Sequence, residues 1–153
     1  MNIIQAETKQ QVEKTKELFI EYGKSLDFEL CFQDFDKELA DLPGYYSPPD
    51  GRLFLAELGG EIAGCIALRK LEEGICEMKR LYVKPQFRVH NIGKFLVEKL
   101  IEEAKIIGYK KMRLDTVPAM QTAQKLYKSM GFKEISPYRL NPVLGAVFME
   151  LNL

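Results

Sequence analysis

The chain contains a single histidine, His90, and only three cysteines, Cys31, Cys65 and Cys76, in 153 residues. The cysteines lack the short spacing of metal ligands, so no metal centre is expected from them. Cys65 and Cys76 fall within apolar, strand-like runs, which predicts buried thiols in a reducing compartment. Charge of one sign is missing as well. The 22 Lys and Arg residues balance 22 Asp and Glu, so no net field steers the protein toward nucleic acid or an acidic membrane surface. No segment approaches the roughly 18 apolar residues that span a bilayer. The opening MNIIQAETKQQ has neither the charged nor the long apolar region of a signal peptide. A cytoplasmic protein is therefore expected, long enough for one domain, residues 1–153, with a proper core.

The pattern along the chain alternates between the two periods of regular structure. MNIIQAE reads as a strand, and a helix follows with Thr8 as its cap and Val12, Leu18, Phe19 and Tyr22 on its apolar side. FQDFDKELADL reads as a second short helix, stopped by Pro43 and Gly44, and PGYYSPPDG is a turn-rich aromatic loop. Two β-rich runs meet at Gly59 and Gly60 as a hairpin, and ICEMKRLYV continues the meander after a turn at Gly74. Helical spacing then returns, with Ile92, Phe95, Leu96, Leu100, Ala104 and Ile107 on one stripe that ends at Gly108. A strand, YKKMRLDTV, precedes a helix carrying Met120, Ala123, Leu126, Tyr127 and Met130, and FKEIS and LGAVFMEL close the chain. The reading is an α/β protein of order βααβββαβαββ with a mixed, mostly antiparallel sheet flanked by helices.

The stretch VKPQFRVHNIGKFLVEKL, Val83 to Leu100, joins a strand to a helix start. Unpaired N–H groups and the positive dipole end make such a junction a candidate seat for a phosphate or pyrophosphate, with Arg88 and Lys94 adding charge. The alternative is an ordinary surface loop with solvated bases. Anion-binding turns usually use glycines to reach positive φ, and Gly93 is the only one here.

The turn Arg88-Val89-His90-Asn91-Ile92-Gly93 stands between the meander and a later Ala123-Gln124-Lys125-Leu126-Tyr127 followed by Gly131-Phe132. This order of elements resembles the GNAT superfamily of N-acetyltransferases over nearly the whole chain, including the strands GCIALRKLEEGICEMKRLYVKPQFR. The family's turn reads Arg/Gln-x-x-Gly-x-Gly/Ala. Asn91 takes the place of a glycine, and Asn tolerates the left-handed region better than other residues. Val89 stands where many members have a second glycine, and a β-branched residue at positive φ would strain the loop.

The resemblance implies acetyl-CoA as cofactor and direct transfer of acetyl to a primary amine of a small molecule or peptide in a ternary complex. It implies a pyrophosphate cradle at Arg88, Val89, His90, Asn91, Ile92, Gly93 and Lys94. Leu81, Tyr82 and Val83 would pair with the pantetheine arm, and backbone groups of Leu81 and Val83 would face the thioester. Tyr127 matches the tyrosine that several members use to protonate the leaving thiolate; the alternative is a core tyrosine. Glu77 lies where one branch carries its general base; the alternative is a strand-face charge paired with Lys79, Arg80 or Arg69. His90, an imidazole of the kind used as a base, is expected to face solvent beside a phosphate. Tyr45, Tyr46 and Phe32 would line the acceptor side, or else pin their loop to the sheet. Met112, Met120 and Met130 are expected as core fillers, the alternative being a ligand groove. A homodimer through an exposed sheet edge is the expected oligomer if there is one. Two non-catalytic readings stand beside this one, a regulatory domain that binds CoA or acyl-CoA and an interaction module that has lost the cofactor, the latter suggested by Val89.

Overall fold

The computed structural model describes residues 1–26 and 34–153, so the expectations for Cys31 and Phe32 lie outside the described residues. The elements follow as β1 (Asn2–Gln5), α1 (Lys9–Ser25), α2 (Phe35–Asp41), β2 (Arg52–Leu58), β3 (Glu61–Glu72), β4 (Ile75–Val83), α3 (Ile92–Ile107), β5 (Lys111–Thr116), α4 (Gln121–Ser129), β6 (Lys133–Ile135) and β7 (Val147–Asn152). Short 3-10 turns at Gly44–Tyr46 and Pro85–His90 precede β2 and α3. The strands form one seven-stranded sheet of order β1-β2-β3-β4-β5-β7-β6. Only β4 and β5 run parallel, so the mixed, mostly antiparallel sheet read from the sequence is the sheet that forms. No described helix is long and apolar enough to cross a membrane.

Each face of the sheet has its own core. Thr8 starts α1 with a capping box: its Oγ1 accepts from the Gln11 N–H at 3.1 Å while Gln11 Oε1 accepts from the Thr8 N–H at 3.0 Å. This helix buries Leu18 and Phe19 against Leu53, Leu55, Cys65 and Ala67, and α2 adds Phe35 and Leu39 to the same side. On the other face α3 buries Ile92, Leu96, Val97, Leu100 and Ala104 over Ile66, Leu68, Met78 and Met112. The stripe read from the sequence is shifted: Val97 is inside and Phe95 is 43% exposed. The helix rests on the line through Leu96 and Leu100, and Phe95 falls on its flank.

A bulge in β4 decides where the site lies. Lys79 pairs with Ala67 and Tyr82 with Cys65, so β4 spends one residue more than β3 between those pairs. Arg80 carries the irregularity at φ +60°, in the left-handed region. The extra residue changes the parity of the strand. Glu77 and Lys79 share the α1/α2 face, and so does Tyr82, three positions beyond Lys79. Arg80 is fastened there by Glu38 of α2, with Nε to Oε2 at 2.9 Å and Nη2 to Oε1 at 3.0 Å, both side chains buried. Just beyond, β3 crosses so close that a Cβ on Gly64 would lie 2.7 Å from the Tyr82 carbonyl oxygen.

Candidate active site

Strands β4 and β5 pair only from Ile75 to Glu77, against Lys111 to Arg113, and then separate. Past that point a cleft of about 60 Å³ opens between Lys79 and Leu81 on one side and Asp115 and Thr116 on the other. The Lys84 N–H donates to the Ala63 carbonyl of β3 at 2.8 Å. Because successive residues turn their hydrogen-bonding groups to opposite edges, Leu81 and Val83 present theirs away from β3. That edge leads into the Pro85–His90 turn and the start of α3.

Asn91 is the residue that needs the left-handed conformation, at φ 57° and ψ 25°. It is not among the helix starts capped by a side chain, so the first-turn N–H groups of α3 remain open for an anion. Val89 is absent from the positive-φ positions and is 86% exposed, so it imposes no strain on the turn. Arg88, His90 and Lys94 are also exposed around the helix start. Arg88 Nε donates to the Val83 carbonyl at 2.9 Å and its guanidinium lies 5.8 Å from the centre of the Tyr82 ring, which ties the turn to the end of β4. Lys94 faces Glu98 at 3.9 Å. Gly93 sits beside Val83 and Leu126 with room for an ordinary contact.

Tyr127 reaches the cleft from α4. Its ring is buried against Phe132, centroids 5.8 Å apart, and its hydroxyl makes no hydrogen bond among the described residues. Burial raises its pKa, so the phenol keeps its proton. Met120 lines the cleft beside it, whereas Met112 is core and Met130 packs on the core; the filler reading fails for Met120 because the parting of the strands leaves it facing space. Thr116 Oγ1 is buried there without a partner among the described residues, an orphan that a polar ligand atom would satisfy. The unpaired strand edge, the open helix start and this hydroxyl fit an extended, amide-bearing ligand that ends in a pyrophosphate.

Lys79 lines this cleft and also a second, larger one of about 220 Å³ under α2 and the Gly44–Tyr46 turn. Burial, followed by the neighbouring charge of Arg80, lowers the Lys79 pKa to about 7. Glu77 is fully buried on the same face. Its Oε1 accepts from Arg69 Nε at 2.8 Å, its Oε2 accepts from the Tyr138 hydroxyl at 2.7 Å and from Arg139, and Lys79 Nζ lies 3.8 Å away. Of its two sequence readings, this is the arrangement of the strand-face charge. Tyr45 stands at the mouth, 63% exposed, with Arg69 5.7 Å from its ring centre. Tyr46 is turned inward, 1% exposed and edge-on to Phe19 at 6.1 Å, so it pins the loop as well as lining the cleft.

Several groups here were not read as site residues from the sequence: Lys79, Asp115, Thr116, Arg139 and Asn141. Asp115 lies on the α1/α2 face, since Arg113 pairs with Glu77 and Asp115 follows two residues later. Its Oδ2 accepts from Asn141 Nδ2 at 3.1 Å. Asp115 and Thr116 could have been found by position, because ligands in open α/β sheets collect beyond the carboxyl ends of parallel strands.

The comparisons with known proteins give the class, an acyltransferase, and the family. Residues 13–132 match the acetyltransferase (GNAT) family profile, and the chain belongs to that family. It is 39% identical to an uncharacterised N-acetyltransferase of Schizosaccharomyces pombe over 146 residues, which is 94% of this chain and 90% of that one. Human N-acetylaspartate synthetase is 36% identical over 100 residues, 64% of this chain but only 33% of the human protein. Among solved structures, a GNAT acetyltransferase from Staphylococcus aureus Mu50 superposes with TM-score 0.82 at 26% identity, covering 99% and 98% of the two chains. The PaiA N-acetyltransferase of Thermoplasma acidophilum, solved with coenzyme A, shares the fold over the full length of both chains at TM-score 0.75 and 19% identity.

Proposed function

We propose that this protein transfers acetyl from acetyl-CoA directly to a primary amine of a small molecule or peptide, with both substrates bound together. The observation that carries the reading is the parting of β4 from β5, which turns the Leu81 and Val83 edge toward Tyr127 and leads it to the open start of α3. Bound there, the cofactor would supply an acetyl group activated as a thioester. Arg88 to Lys94 would hold its pyrophosphate, and Leu81, Tyr82 and Val83 its pantetheine arm.

The roles of the chain's own groups follow from charge and position. A backbone N–H on the Leu81 and Val83 edge polarises the reacting carbonyl. The Tyr127 hydroxyl, protonated because it is buried, gives its proton to the departing thiolate. The amine must lose a proton, and the sequence pointed to Glu77. With Arg69, Arg139 and Tyr138 already on its oxygens, we assign Glu77 to holding those cations and Asp115 to proton removal, directly or through water. Tyr45 guards the acceptor side.

A small amine acceptor accords with the relative named for N-acetylaspartate. Cytoplasmic residence belongs to the same proposal, with the buried free thiols of Cys65 and Cys76 in accord with it. The interaction-module reading rested on Val89, and a Val89 at unstrained φ removes that support. A calorimetric titration with acetyl-CoA, beside melts with and without ligand, tests the first half. Saturation at ~100 times Kd should add about 2.7 kcal/mol. Absence of both heat and shift would sink the proposal, and binding without acetyl transfer to any amine would favour the regulatory reading.

A further inference from the structure

The larger cleft has a floor that the transfer chemistry does not use. Arg69 and Arg139 come from β3 and from the loop after β6, and both are fastened to one buried carboxylate, Glu77. Arg69 is bound through Nε and Arg139 through Nη2; their other guanidinium nitrogens make no hydrogen bond among the described residues. Their side chains are 24% and 20% exposed, and both line the cleft. Burial, then the charge of Arg69, lowers the Arg139 pKa to about 10.

Lys79 stands on the same floor, its Nζ 3.8 Å from Glu77. Glu38, on the same wall, is spent on Arg80. Asp34, Lys37 and Asp41 line the cleft from the α2 side. Tyr46 lines the same cavity, and its buried hydroxyl, beside Glu38, makes no hydrogen bond of normal geometry among the described residues. Guanidiniums bind carboxylates through paired N–H donors, and a buried donor left without an acceptor is costly.

We propose that Arg69 and Arg139, held by Glu77, form a carboxylate-binding subsite, and that the acceptor is therefore an amine that itself bears a carboxylate. This rests on the transferase reading above and adds the substrate class to it. Lys79 lines both clefts, so a carboxylate on this floor leaves the amine of the same molecule on the side of the thioester.

The test compares acids with their own amides. Acetyl transfer from acetyl-CoA is followed by CoA release with glycine against glycinamide, aspartate against asparaginamide and glutamate against glutaminamide. Each amide has the larger fraction of neutral amine, so a preference for the acids cannot come from intrinsic reactivity. The acids should show the higher kcat/KM, and Arg139→Gln should shrink the acid-to-amide ratio on the order of 30-fold, chiefly through KM, with Arg139→Lys restoring part of it. Succinate, which has no amine, is titrated separately into wild type and both variants while acetyl-CoA binding is checked as a folding control. Wild-type succinate binding that Arg139→Gln abolishes supports the subsite even if no amine is acetylated, an outcome that would count against the transferase reading alone. Amides used as well as acids, or succinate binding absent or unaffected by Arg139→Gln, would overturn the subsite and leave the transferase reading standing.

Discussion

Among single residues, Tyr127 has the sharpest expectation. Replacing it with Phe removes only the hydroxyl, so turnover should fall about 100-fold while the acetyl-CoA titration stays near wild type. Unchanged turnover would return Tyr127 to the core reading. The turn gives a paired expectation. Val89→Gly, which a strained loop would reward with tighter cofactor binding, should leave affinity unchanged because Val89 does not occupy positive φ. Asn91→Val places a β-branched residue at φ 57° and should weaken binding and cost roughly 1–2 kcal/mol. Lys79 bears on pH. Its folded pKa of about 7 lies below the ordinary 10.5. Below pH 7 the ammonium is charged in both states and the burial penalty stands in full. Between about 7 and 10.5 the unfolded chain binds more protons, so this group makes stability rise with pH. Urea melts at pH 7 and near pH 9.5 should show a smaller rise for Lys79→Met than for wild type.

At the level of elements, periodicity and turn chemistry made most of the fold legible. The capped first helix, the Gly59-Gly60 hairpin and the Asn91 junction each follow from local patterns that the structure repeats. The site was half legible. The proposed cofactor edge and Tyr127 sit in contiguous motifs, whereas Lys79, Asp115 and Arg139 converge from a strand, its parallel neighbour and a late loop. No local pattern encodes that convergence, and the bulge at Arg80 hides it further by breaking the two-residue alternation. Two elements hold the bulge, and each can be tested. Glu38→Ala should remove both charge-assisted bonds to the buried Arg80 guanidinium and lower stability by roughly 1.5–3 kcal/mol in urea. Gly64→Ala forces β3 from the Tyr82 carbonyl, so a loss of about 1–3 kcal/mol is expected together with weaker acetyl-CoA binding.

Over the whole molecule, the sheet separates two jobs by face. Helices α3 and α4 cover one side and bring the open helix start and Tyr127, while α1 and α2 cover the other and enclose the charged floor around Glu77. The gap between β4 and β5 is the passage between them. The bulge that maintains it makes the chain's length here a matter of count as much as of chemistry. If Arg80 were deleted, β4 could run in one register against β3, and the edge now offered by Leu81 and Val83 would change places with that of Tyr82. Such a chain would form a more regular sheet with the wrong rim toward its ligand. A relative one residue shorter at this point, however alike elsewhere, should be read as having a different site.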